Sequence, residues 1–212
     1  MKTSIALKSL LAAGALTLPL MAFAESNIQT GAATAAPGAT AHVDFSIVIP
    51  KILYLRVGSG STYTSGTLAS ANTIDLITFS PAAGTVGNGT PVAGTGGDLT
   101  GGVETAAIVS NSGNVTLNAT ASGALSDGNG DTIPFTQITT SATTLTSATQ
   151  LPAPVLTNGT SSNVVLTAPA TKLIVEDAKW TYSYANTVNV PAGTYGGSNV
   201  NNSRVTYTAT MP

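Results

Sequence analysis

An all-β sandwich is the fold the sequence predicts, on three observations. Strictly alternating polar and apolar residues recur in short segments along the chain, Gly-, Pro- and Asn-rich turns separate them, and no stretch after the N-terminal region holds a helical period over three turns. Composition agrees. Only 8% of residues are charged against 42% hydrophobic, which excludes disorder driven by excess charge, and the balance is filled by Thr, Ser, Asn, Gly and Ala.

The first residues, MKTSIALKSLLAAGALTLPLMAFAES, place Lys2 and Lys8 before an apolar run from Leu10 to Leu20 that contains Pro19, and Ala22-Phe23-Ala24 supplies small residues for cleavage before Glu25. This pattern predicts a secretory signal peptide over 1–24, too short in its apolar run for a membrane-spanning helix. No later segment predicts a span. Cleavage leaves 25–212, enough for one domain with a substantial core, with a flexible leader expected over 25–41 and a single β-sandwich domain over 42–212. The expected location is the periplasm, the cell surface or the medium. Five Lys and Arg against nine acids in 25–212 leave a net charge of −4, scattered along the chain, which predicts no nucleic-acid or anionic-membrane partner. With no cysteine, thiol redox chemistry and thiolate metal sites are excluded.

Along HVDFSIVIPKILYLRVG (42–58), Val43, Phe45, Ile47 and Ile49 share one face and His42, Asp44, Ser46 and Val48 the other. Pro50-Lys51 then interrupts the pattern, and Leu53, Leu55 and Val57 resume it opposite Tyr54 and Arg56. Since proline cannot donate to a ladder, 42–49 and 52–58 are not one uninterrupted central strand. The Gly-rich region 58–102 predicts loops surrounding one or two strands around a short apolar patch, Ile74 to Phe79. A hairpin follows: 106–110, the turn Asn111–Asn114, and 115–121 with Val115, Leu117, Ala119 and Ala121 on one face. SDGNGD turns the chain into TIPFTQI, and 139–163 reads as connection or weak edge strand. Strands are expected at 164–169, 172–176, 179–186 and 204–211, the third with Trp180, Tyr182 and Tyr184 on one face.

Chemistry is sparse. His42, the single histidine, lies on a polar strand phase, no nucleophile elbow or paired-histidine motif is present, and no catalytic, cofactor or histidine-based metal site is predicted. Asp127, Asn129 and Asp131 match the opening of a calcium loop, but Thr132 and Ile138 occupy its glycine and closing-glutamate positions, so a hairpin turn is the favoured reading and a weak calcium site the alternative. Glu104, Glu176 and Asp177 are the carboxylates that spacing leaves available for glycoside hydrolysis, a reading with little else behind it. Trp180, Tyr182 and Tyr184 form either a core strand face or a carbohydrate-stacking face. Asn88, Asn114, Asn118, Asn158 and Asn201 sit in N-x-S/T sequons, which arise readily in this composition.

VSNSGNVTLNATASGALSDGNGDTIPF (109–135) and VPAGTYGGSNVNNSRVTYTATMP (190–212) resemble secreted bacterial fimbrial-type β-sandwich subunits, including the spore coat U family associated with chaperone–usher pili. The resemblance covers about a quarter of the chain. The lack of cysteine, the Gly-rich 58–102 region and the distance of Tyr207 from the C-terminus depart from that pattern. The resemblance implies an incomplete immunoglobulin-like two-sheet sandwich completed by an extended N-terminal strand from the next subunit, self-assembly, and a periplasmic chaperone and usher as partners. On that reading Val43, Phe45, Ile47 and Ile49 are the donor-strand residues and Pro50-Lys51 the hinge. The competing reading makes 42–58 a first strand that crosses between the sheets of its own sandwich at Pro50-Lys51. The function expected is therefore a non-enzymatic fimbrial or pilus-type subunit, the alternative a stand-alone secreted module binding glycans or surfaces.

Overall fold

The computed structural model describes residues 26–34, 38–58, 64 and 68–212. The expected signal sequence, with Ala22-Phe23-Ala24, lies outside the described residues, as do Glu25 and 35–37 of the leader. The chain divides into two units, one ending at Ile49 and the other running Pro50–Pro212. In the first unit every described residue is exposed and none belongs to a strand. The strand expected over 42–49 is absent, and the sheet-crossing reading that required it is corrected. Alternation alone cannot make a strand, because an isolated segment has neither a ladder for its backbone nor a surface for its apolar face.

The second unit contains β1 (Leu53–Val57), β2 (Ile77–Thr78), β3 (Val92–Ala93), β4 (Thr95–Gly96), β5 (Val103–Ser110) and β6 (Val115–Ala121). After these come β7 (Leu125–Ser126), β8 (Thr132–Ile133), β9 (Ile138–Thr143), β10 (Val164–Leu166), β11 (Ile174–Tyr184) and β12 (Val205–Thr210). One sheet runs β1-β5-β11-β3, with β9 also on β11; the second runs β10-β6-β12, and β2-β4 and β7-β8 are small ribbons. All these pairings are antiparallel. Ala106 and Ile108 of β5 and Ala178, Trp180 and Tyr182 of β11 meet Val115, Leu117, Ala119 and Ala121 of β6 in one buried core. The fold is an all-β sandwich.

Local chemistry explains where elements begin and break. Pro50 precedes β1, where its missing N–H deprives no ladder, and the side chain of Asn111 holds the entry: Oδ1 accepts from Ile52 N at 2.8 Å and Nδ2 donates to Pro50 O at 2.8 Å. Pro134 divides the expected strand TIPFTQI into β8 and a 3-10 turn over Phe135–Gln137, since it cannot donate. The expected strands 172–176 and 179–186 are instead one, β11, continuous through Asp177. The region 139–163 supplies β9, which pairs with Lys179–Tyr184 as an edge strand.

Continuity through Asp177 depends on the connection after β9. Asp177 is fully buried, and its carboxylate accepts from Thr146 N at 2.8 Å, from Ser147 N at 2.8 Å, from Ser147 Oγ at 3.0 Å and from Thr146 Oγ1. Burial would push its pKa up, but the hydrogen bonds from Ser147 and Thr146 outweigh that and hold it below the usual aspartate value. A depressed folded-state pKa adds stability that is present above the unfolded value near ~4 and is lost as pH falls through the folded value. Asp177→Ala is expected to cost about 3 kcal/mol at pH 7, because it removes at once several charge-assisted hydrogen bonds that hold the 146–147 connection to β11, and to flatten the acid limb of stability against pH. Urea melts from pH 3 to 7 check both; an unchanged acid limb would contradict the assignment.

Candidate functional site

The segment before β1 carries an exposed apolar strip. Val43 is 70% exposed, Phe45 88%, Ile47 86% and Ile49 75%, four bulky residues on one alternating phase with no core of their own. Large apolar strips of this kind are rare unless something covers them. The segment leads into Pro50-Lys51, and Lys51 Nζ donates to Pro212 O at 3.1 Å while Asn111 holds Pro50. The expected hinge is therefore clamped on its C-terminal side.

A second feature lies along one edge of the sandwich. β1 and β12 are terminal strands of different sheets, β1 pairing with β5 and β12 with β6, and the two lie beside each other. Their inward residues, Leu53, Leu55 and Val57 on β1 and Val205, Tyr207 and Ala209 on β12, together with Met211 just after β12, pack against the core yet remain only half-buried. On the neighbouring β6 the corresponding inward residues are fully buried. The edge between β1 and β12 thus leaves core side chains partly uncovered beside unpaired strand backbone.

The aromatic stripe is not a surface. Trp180, Tyr182 and Tyr184 are 0%, 6% and 7% exposed, so the glycan-stacking face is corrected to a core face. Trp180 Nε1 donates to Leu151 O at 2.9 Å, its ring lies 5.3 Å from that of Tyr207, and the Tyr182 and Tyr207 hydroxyls meet at 2.8 Å across the two sheets. The apolar bodies fill the core while each polar atom finds a partner.

Asp127, Asn129 and Asp131 form the β7–β8 turn. Asp127 Oδ1 accepts from Asn129 N at 2.8 Å and Asp131 N at 3.1 Å, so this carboxylate braces the turn. Among the described residues no cluster of three His, Cys, Asp or Glu is arranged to hold a metal. The carboxylates considered for hydrolysis do not converge either. Glu104 pairs with Trp180 in the β5–β11 register and Glu176 with Ile108, a separation of roughly 13 Å along the strand, and Asp177 lies on the opposite face of β11 and is committed to Thr146 and Ser147. Asn158 Oδ1 accepts from Phe135 N at 2.7 Å and Asn114 Oδ1 from Ala168 N at 2.9 Å, so these two sequon side chains brace the fold.

The charged cluster that does form combines Arg56, Asp75, Asp98 and Glu104. Arg56 lies 3.6 Å from Asp98 Oδ2, Thr105 N donates to Asp98 Oδ1 at 2.7 Å, and Asp98 N donates to Glu104 Oε2 at 3.2 Å. Its four members come from β1, from the stretch before β2, from the β4–β5 turn and from β5. No local spacing announces such a cluster.

No protein-family model, curated protein or solved structure matches this chain. The geometry defines a class only: an all-β sandwich with an exposed apolar strip ahead of it and a half-covered edge between its terminal strands. No helix among the described residues is long and apolar enough to cross a membrane.

Proposed function

We propose that this chain is a non-enzymatic structural subunit that assembles outside the cytoplasm, residues 43–49 of one copy adding as a strand to the β1–β12 edge of the next. The observation that carries the reading is a match of needs. The strip has four bulky side chains on one phase and no ladder, while the edge has unpaired backbone and half-buried core side chains. Strand addition satisfies both at once, through main-chain hydrogen bonds and alternate side chains entering the core. Each such side chain contributes about 1.5–3 kcal/mol when buried. The resemblance of 109–135 and 190–212 to fimbrial subunits adds a chaperone and an usher as the expected escorts of the exposed strip. The alternative of a glycan-binding module loses its main support with the burial of Trp180, Tyr182 and Tyr184.

The test is electrophoretic mobility in SDS of protein extracted natively from the cell surface, with and without boiling. A ladder of multimers that collapses to one band on boiling is the expected result, since exchanged strands separate only when the sandwich unfolds. A single monomer band in both lanes would overturn the proposal.

A further inference from the structure

Gly58, directly after β1, has φ +61° and donates its N–H to Thr105 O at 2.7 Å. A Cβ at this position would collide with Glu104 Oε2 and Asp75 Oδ2 together, so two carboxylate oxygens converge on the space that the absent side chain leaves. Two carboxylates brought together in this way can hydrogen-bond only if one carries a proton, because neither ionised group has a donor. The surroundings favour keeping that proton. Glu104 is 5% exposed and the side chains of Asp98 and Arg56 are 2% and 8% exposed, so two carboxylates lie away from water beside the half-buried Asp75, and the guanidinium sits 3.6 Å from Asp98 Oδ2.

Asp75 is the half-buried residue of 68–76, a stretch whose other residues are all exposed. Within the same stretch, Tyr54 Oη donates to Ala69 O at 3.3 Å. We propose that Asp75 and Glu104 share one proton, and that this proton is a latch fastening the 68–76 stretch to the end of β1 and β5 and releasing it in alkaline solution. The latch is independent of the assembly reading.

The groups around the pair set the window. Burial foremost, and then the charges of Asp75 and Asp98, push the Glu104 pKa up to about 8 against the opposing pull of the Asp98 N–H. Tyr182 on β11 and Tyr207 on β12 face the same region, and burial pushes both phenols up, Tyr207 to about 12, so they stay neutral while the pair titrates. A carboxyl with a raised folded-state pKa gives stability that is fully present below the unfolded value of about 4.4 and is lost as pH rises through the folded value. The latch is closed at neutral pH and open above about 8.

Two measurements on the full chain test this. Carboxyl carbon-13 NMR of the wild type should show the Glu104 resonance moving in a step near pH 8; an ordinary carboxyl step for Glu104, between about pH 3 and 5, would overturn the shared proton. Limited digestion with a broad-specificity protease at pH 6.5 and 9.5 reads the latch itself, with cleavage in the exposed 26–34 segment as internal reference for enzyme activity. Normalised cleavage within 68–76 should rise roughly tenfold between the two pH values, and stay flat in Glu104→Gln, whose amide donates to Asp75 without ionising. Asp75→Asn provides the same neutral pair from the other side should Glu104→Gln fail to fold. An equal rise in wild type and variant would overturn the latch.

Discussion

Replacing Phe45 and Ile47 together by aspartate is expected to abolish the heat-dissociable ladder while leaving the thermal midpoint of the monomer within about 1 °C of wild type. Both residues are more than four-fifths exposed, so the substitutions remove no core contact of the monomer and carry little cost of their own. In an assembled fibre the same positions face the interior of the next subunit. Each aspartate then forfeits the ~1.5–3 kcal/mol of a buried side chain and adds the desolvation of a carboxylate, together more than a strand of this length can spare. Ser46→Asp is the phase control. Its side chain lies on the opposite face of the strip and should remain in solvent after strand addition, so the ladder should persist. Loss of multimers in Ser46→Asp to the same degree would mean that charge alone blocks association, and persistence in the double variant would remove 43–49 from the interface.

Trp180→Ala should cost about 3–5 kcal/mol. The indole is fully buried, opposes Glu104 in the register of β11 on β5, contacts the ring of Tyr207 and donates to Leu151 O. Its removal empties a large volume between the sheets and leaves a buried carbonyl without its donor. Trp180→Phe separates the two contributions: most of the volume is kept, the N–H is lost, and about 1–2 kcal/mol should go with it. Denaturant midpoints measured at a common pH read both variants. A loss below about 1 kcal/mol for Trp180→Ala would show that the core does not rest on this residue. The result also governs any ligand screen, since Trp180→Ala perturbs the fold and cannot serve as a surface control.

Legibility from sequence followed the range of the interactions. The 115–121 strand coincides with β6 because its alternation and the Asn111–Asn114 turn are local, and β12 follows the alternation of RVTYTATM in the same way. The break at Pro50-Lys51 was legible because proline's missing donor is a property of one residue. The continuity of β11 was not: a buried acid in mid-strand reads as an interruption until Thr146 and Ser147, some thirty positions earlier, arrive to satisfy it. The 42–49 segment carries a strand's pattern without a strand, since pattern states which face would be buried and not whether a partner is at hand.

Sequence by itself determined the all-β class, the turn positions, the absence of thiol chemistry and the phase of the apolar strip, all of them consequences of backbone and side-chain preferences over a few residues. Tertiary structure alone decided that Trp180, Tyr182 and Tyr184 face inward, that β1 and β12 end as neighbouring half-covered strands, and that Arg56, Asp75, Asp98 and Glu104 meet. The physical reason is distance along the chain. Alternation assigns residues to two faces of a strand, but which face meets another sheet, which edge goes unpaired and which charges share a buried site depend on how segments tens of residues apart are brought together.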